Sequence, residues 1–420
     1  MSHRIRLARA ALALPATLVL AGLTQAQTSP WFAGGMVNLG HESNLLRLAK
    51  GQVAPLGASK SDRLTSIALL AGLDERISRQ RIFGNLALRD NRYADNRVYN
   101  NQGYTATLGV DWATAERLSG SLTGGASRQL SSFNLQEIGL LPEKNLEAVQ
   151  SMDATLRLGL EGRLALEAGI GAQRVKNSLA TAAVQARNYR QDTGSLGLRW
   201  RPSAASSLGL ALRSTQGRYP QFRLGSDGQY QADRYERRDI DVSATLEPSS
   251  ASKLDLRLSS GKTEYDLATQ RNYSGLTGTL GWGWQLSGKV ALSARLTRET
   301  GQDSYAVTTF FGTPGTTDYS RITDSLRVKA DYSVSPKLDF SLAWIWADRD
   351  LVRTQPSLFS TAQAEGRERT QVLVLGARWK PLRSLSLGCD LSGEQRRGSG
   401  DLGSDLAAQA FNCFGQFTLQ

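Results

Sequence analysis

The sequence predicts an all-β chain, a closed antiparallel transmembrane β-barrel of about 18 strands with short periplasmic turns and long extracellular loops. Three observations predict it. The chain opens with an export signal, no later stretch is apolar for long enough to make a spanning helix, and a period-two alternation recurs in evenly spaced hairpins to the C-terminus.

The signal comes first. Arg4, Arg6 and Arg9 precede an apolar run from Ala10 to Leu23, and Thr24-Gln25-Ala26 supplies the small-residue cleavage pattern. The run is shorter than the roughly 20 residues a spanning helix needs. Residues 1–26 are therefore expected to be a signal peptide and 27–420 a single barrel domain in the outer membrane of a Gram-negative cell. With 41 Gly and 11 Pro, composition suits many strands joined by turns. The formal charge of +12 falls to about +9 without the signal's arginines, which points to acidic glycans, outer-membrane lipid and lipopolysaccharide as partners. Nucleic acid has no place in that compartment.

The hairpins come next. Short turns are expected near Arg76–Arg79, Thr114–Glu116, Glu161–Gly162, Pro202–Ser206, Pro248–Ser252, Leu286–Gly288, Ser333–Pro336 and Pro381–Arg383. Their centres lie roughly 37 to 48 residues apart, about two membrane strands plus one long and one short connection. Strands at Trp31–Gly40 and Ala408–Leu419 complete the even number that closure requires. The stretches His41–Ser61, Ser127–Gln150, Gln216–Arg238 and Glu299–Arg321 are expected to be outer loops.

Each strand then divides into two faces. After Pro336, Leu338, Phe340, Leu342, Trp344 and Trp346 alternate with Lys337, Asp339 and Ser341. In one member of this series, Leu196, Leu198 and Trp200, then Leu208, Leu210 and Leu212, face lipid, while Arg199 and Arg213 face water inside. A soluble sandwich would alternate too, but Trp112, Trp200 and Trp379 all fall at short-turn ends, where an interfacial aromatic girdle belongs. The same phase makes Arg89, Arg157, Arg199, Arg213, Arg257, Arg295, Arg327, Lys329 and Arg378 candidate lumen-facing cations. Asp111, Asp153, Glu167, Asp255, Asp331, Asp339 and Asp390 fall on the same side. Two uses are open to these charges: a ladder of ion pairs that stiffens the wall, or a polar path for a hydrated, acidic glycan.

Cys389 and Cys413 occupy mirror positions in the last hairpin and share its apolar face, which favours a cross-strand disulfide over two buried thiols in an oxidising compartment. Catalytic chemistry is sparse. His41 is the one histidine beyond the signal, so a hydrolytic site built on histidine has a single candidate. No His, Cys and carboxylate set has metal-ligand spacing, and no Gly-rich phosphate loop leads into a helix, so neither metal nor cofactor is expected. Asn188-Tyr189-Arg190, Arg234-Tyr235-Glu236-Arg237-Arg238 and Phe310-Phe311-Gly312-Thr313-Pro314-Gly315 read as aromatic and basic loop segments, suited to sugars or to an outer girdle beside lipopolysaccharide phosphates.

Glu42-Ser43-Asn44-Leu45-Leu46-Arg47-Leu48, Ser78-Arg79-Gln80-Arg81, Arg237-Arg238-Asp239-Ile240-Asp241 and the ending Gly415-Gln416-Phe417-Thr418-Leu419-Gln420 resemble the EpsL-type outer-membrane proteins of exopolysaccharide biosynthesis associated with the exosortase system. The likeness runs over nearly all of the chain beyond the signal. It implies a non-enzymatic barrel in the assembly or export of an extracellular polysaccharide, working with periplasmic export proteins, and it assigns no role to Asn44, Arg47 or Arg81. A general or sugar-uptake porin is the alternative, and a barrel enzyme the second alternative.

Overall fold

A computed structural model describes residues 29–419 apart from 116, 132–133, 136–138, 141–142, 160–162, 225–228, 302–319 and 357–360. The expected signal, the expected turn Glu161–Gly162 and the segment Phe310–Gly315 lie outside the described residues. Eighteen strands form one sheet. They are β1 (Trp31–Glu42), β2 (Asp62–Ile77), β3 (Gln80–Tyr93), β4 (Asn101–Ala113), β5 (Leu118–Leu130), β6 (Leu146–Gly159), β7 (Leu164–Asn177), β8 (Tyr189–Ser203) and β9 (Ser206–Leu224). The second half comprises β10 (Tyr230–Ser249), β11 (Ser252–Tyr265), β12 (Tyr273–Gln285), β13 (Val290–Gly301), β14 (Ser320–Ser335), β15 (Leu338–Pro356), β16 (Thr361–Trp379), β17 (Leu385–Gly400) and β18 (Leu406–Leu419).

Every strand pairs antiparallel with its chain neighbours, and β1 also pairs with β18, Ala33 opposite Leu419 and Glu42 opposite Ala410. The sheet is a closed barrel. Closure satisfies the backbone N–H and C=O groups of β1 and β18, which would otherwise form two open edges in a medium without water.

The lipid-facing side is set by alternation. Leu196 lies opposite Leu212, Leu198 opposite Leu210 and Trp200 opposite Leu208, all exposed on the outer wall. Trp31, Trp200, Trp282 and Trp379 are likewise exposed at short-turn ends, and Trp344 and Trp346 share the outward face of β15 with Phe340 and Leu342. One of the two-residue turns is Ser78–Arg79, between Ile77 and its partner Gln80. Ser78 has a left-handed φ of 58°, the conformation a two-residue hairpin needs at its first central position.

Three outer stretches differ from the sequence expectation. Between Ser127 and Gln150 the strands continue to Leu130 and resume at Leu146, and Gln216–Arg238 is mostly strand, with β9 reaching Leu224 and β10 starting at Tyr230. Tyr189, Arg190 and Arg234–Arg238 are therefore strand residues, not loop residues. Glu299 and Arg321 are likewise strand residues, of β13 and β14. The reason is physical: once polar residues take over the outer face, the hydrogen-bonded ladder continues into water. β10 has 20 residues. At a strand rise of 3.2–3.4 Å it runs about 65 Å, well beyond a tilted crossing of a roughly 25 Å apolar band.

Cys389 lies directly opposite Cys413, and the two are joined by a disulfide with Cα atoms 4.1 Å apart. The bridge is on the outward wall, in the same phase as the Leu391 and Phe411 pair. Its loop of 24 residues in sequence separation would constrain the unfolded chain by about 3 kcal/mol.

Two outcomes are expected. The purified barrel should migrate faster before boiling than after in detergent gels, and recovery as a soluble periplasmic monomer would oppose the architecture. Denatured, unreduced protein should take up no maleimide and reduced protein two equivalents, with C389S/C413S lowering stability in urea by about 3 kcal/mol.

Candidate functional site: the lumen and its outer mouth

The register places all nine predicted cations on the inner face. Arg157 lies opposite Glu167, Arg199 opposite Gly209, Arg213 opposite Asp239 and Arg257 opposite Ser243. Arg89 lies opposite Ala68, Arg295 opposite Arg327, Lys329 opposite Ala343 and Arg378 opposite Asp339. They do not converge on one point. Instead they divide around the wall.

On β6–β8, Glu167 accepts from both Arg157 at 3.0 Å and Arg199 at 2.6 Å. On β9–β11, Arg213 meets Asp239 and Asp241, each at 2.9 Å, while Arg257 reaches Asp241 at 3.0 Å and Arg237 reaches Asp239 at 2.9 Å. The Ser259 hydroxyl also donates to Asp241. These arginines form an ion-pair ladder that crosses strands, so the structural use of the lumenal charges holds here. Across β13–β14 the pattern changes, since Arg295 and Arg327 are two cations directly opposite each other. Nearby, Lys329 pairs with Asp331 at 2.7 Å and the Arg378 guanidinium lies 5.9 Å from the Phe414 ring centre.

The lumenal wall is uneven. From β4 to β6 it presents Thr105, Thr107, Ser121, Thr123 and Ser151, short polar side chains that leave room for water. From β15 to β2 it is packed: Ala343, Ile345, Val372 and Val374 form a buried lumenal cluster, and Met36, Ala68 and Phe414 form another.

Four tyrosines cross the lumenal side of β8–β11 near the outer end. Tyr189, Tyr219, Tyr235 and Tyr265 lie in successive contact, with ring centres 5.6, 5.9 and 5.1 Å apart. Tyr235 lies over Gly217, where a Cβ would collide with its ring, and its hydroxyl donates to Gln191 at 2.7 Å. Tyr219 is buried between its neighbours, so Tyr189, Tyr235 and Tyr265 present the half-buried rings.

At the mouth, the first outer loop turns inward. Arg47 holds a left-handed φ of 55° and pairs with Glu394 and Glu42, both lumen-facing. Asn44 is fully buried, donating to the carbonyls of Leu48 and Ala407 and accepting from the Leu48 N–H. Leu45, Leu46 and Leu48 then join an apolar cluster with Tyr93 and Tyr99. The sequence showed this heptapeptide but not its function as an anchor.

A second device recurs every four strands. Asp62 of β2 accepts from the N–H groups of Ala94, Asp95 and Asn96 in the loop after β3. Asn145, just before β6, accepts from Ser178 and Leu179 after β7, and Asp233 of β10 accepts from Leu267 and Ala268 after β11. In each case an Asn closing the same loop (Asn100, Asn188 or Asn272) accepts the N–H of the last strand residue. Burial pushes the Asp62 carboxyl up, but the N–H donors of Asp95, Asn96 and Arg63 outweigh it and hold it below the usual Asp range.

His41 projects from the outer wall, opposite Phe411 and Arg63, away from the lumenal carboxylates. Among the described residues no group of three or more His, Cys, Asp or Glu is arranged to hold a metal ion.

No protein-family profile matches the sequence, and no curated protein matches it. Solved structures similar in fold include OpdL of Pseudomonas aeruginosa, 14% identical over 93% of this chain and 99% of that one with a TM-score of 0.44. OccK3 (OpdO) of the same organism is 16% identical over 93% and 95% with a TM-score of 0.46. The FrpB iron transporter of Neisseria meningitidis is 11% identical over 89% of this chain and 62% of its own, with a TM-score of 0.47. The likeness is one of barrel fold alone.

The loop caps predict a pH effect. A depressed carboxyl contributes stability that is present above the unfolded value of about 4 and is lost as pH falls through the lower folded value. Hydrogen-exchange protection of the Ala94, Asp95 and Asn96 amides should therefore hold at pH 5 and collapse only in stronger acid. Asp62→Ala should abolish it at all pH values at a cost of about 3 kcal/mol, since it orphans several buried donors.

Proposed function

We propose that the chain is a non-enzymatic outer-membrane conduit of the porin class for hydrated saccharides. The observation that carries this reading is the tyrosine ladder on the lumenal wall, beside the Arg213, Asp239, Asp241 and Arg257 network. Flat aromatic faces take the C–H faces of sugar rings, and adjoining charged donors and acceptors take their hydroxyls. The thin Thr and Ser wall of β4–β6 leaves a hydrated side next to a sticky one. Many weak contacts, none tight, favour movement along the wall over capture.

A second reading, export or assembly of an acidic extracellular polysaccharide together with periplasmic export proteins, is favoured by a separate observation. The segments that resemble EpsL-type proteins supply the lumenal network through Arg237, Asp239 and Asp241, and the mouth anchor through Asn44 and Arg47.

Planar-bilayer recordings test the first reading. The purified barrel should conduct ions and be blocked transiently by neutral oligosaccharides. Y189A/Y235A should shorten the blocks about tenfold with little change in open conductance, and sugar-insensitive currents would oppose it. For the second reading, R199Q/R257Q/R327Q should lower secreted polysaccharide at unchanged barrel abundance, and unchanged output would assign those arginines to the wall alone.

A further inference from the structure

The outer wall above the apolar band carries its charges in rows, because residues opposite one another on neighbouring strands share a face. On β7–β10 one row reads Arg174, Arg190, Arg218 and Arg234, each directly opposite the next. All four are exposed. Like charges in that relation destabilise a sheet unless something else neutralises them. Within the protein little does. Arg190 approaches Asp192 at 3.4 Å, whereas Arg174, Arg218 and Arg234 make no ion pair among the described residues.

The carboxylates nearby are largely committed elsewhere. Glu236 pairs with Arg238 at 2.8 Å and Glu264 with Lys262 at 2.6 Å, one row lower. Asp266 ends the arginine row, its backbone N–H bonded to the Arg234 carbonyl. The opposite wall provides an internal contrast. There, on β13–β17, the row reads Arg298, Asp324, Asp348, Arg369 and Arg397, and the signs compensate, with Arg298 and Asp324 at 3.7 Å and Arg369 and Asp348 at 3.3 Å.

Height fixes the class of anion. Arg174 stands four residues above the exposed Ile170 on β7, and Arg190 six residues above Leu196 on β8. That is about 13 to 20 Å along the strands and about 10 to 15 Å along the membrane normal at a tilt of roughly 40°. This is the depth of headgroups and their sugars in the outer leaflet. Lys176 and all four arginines also line one cavity of about 1160 Å³, which also takes in Asp192, Glu236, Glu264 and Asp266.

We propose that this row binds the phosphorylated sugar headgroup of an outer-leaflet glycolipid. Planar guanidinium groups offer paired N–H donors that match phosphate oxygens, and successive strands space them to span a headgroup bearing more than one phosphate. The assignment is independent of what passes through the lumen.

The test uses the full barrel, folded in detergent, and three probes: a bis-phosphorylated outer-leaflet glycolipid, its dephosphorylated form, and phosphatidylglycerol. Retained lipid is read by native mass spectrometry, and folding by heat-modifiable migration. The wild type should retain the phosphorylated glycolipid at least tenfold better than either other probe. R174Q/R190Q/R218Q/R234Q should lose that retention about tenfold, while R298Q/R369Q/R397Q on the opposite wall stays within twofold of wild type. Should the fourfold variant not fold, Arg218→Gln and Arg218→Glu replace it, with retention expected to fall in that order. Equal retention of the dephosphorylated probe, equal retention of phosphatidylglycerol, or an equal loss on the opposite wall would overturn the proposal.

Discussion

An unpaired backbone amide in hydrocarbon costs several kcal/mol, and that penalty governs everything else in this protein. It leaves an 18-stranded sheet one solution, the pairing of β1 with β18, which removes both edges. Once the cylinder is closed, side chains have only two destinations. Period-two alternation sends Leu196, Leu198 and Trp200 to lipid and Ser195, Gly197 and Arg199 to the lumen. A slip of one residue would put Arg199 and Arg213 in the apolar band. Register is therefore enforced by the cost of charge in lipid as much as by hydrogen bonds.

Inside the cylinder, much of the charge is paired across strands. Around Glu167, Asp239 and Asp241 every arginine shares a carboxylate with another arginine, so the network is held across strands rather than within one. The tyrosine ladder stands next to this network on the same strands, with Tyr235 lying in the gap that Gly217 leaves. A wall stiffened by ion pairs thereby holds a row of rings at fixed spacing. On the outer wall the mixed-sign row of β13–β17 contrasts with the arginine row of β7–β10.

The mouth shows how a wide barrel orders its loops, with an apolar cluster under the first one and side-chain caps on backbone amides at the others. An Asp or Asn at the outer end of one strand gathers the N–H groups of the next loop along, and this occurs at β2, β6 and β10. The first loop uses a stronger version, with Arg47 in a left-handed conformation between Glu42 and Glu394. Strain of that kind persists only where the surroundings over-determine it, and here buried Asn44 and Leu46 supply the constraint.

Much of this architecture was legible in the residues alone. Strand count, the short turns among the described residues, the inward phase of the nine cations and the opposition of Cys389 to Cys413 all follow from a period of two and from mirror positions about a turn, which are local properties of the chain. The outer ends of strands were less legible, because polar residues on β9 and β10 look like loop until a partner strand is known. What only the tertiary structure decided is which side chains meet across strands. Tyr189 and Tyr265 are 76 positions apart, yet belong to one ladder, and Arg174 and Arg234 belong to one row. Such neighbours are fixed by the stagger accumulated from strand to strand as the sheet closes, a property of the whole cylinder that no single segment encodes.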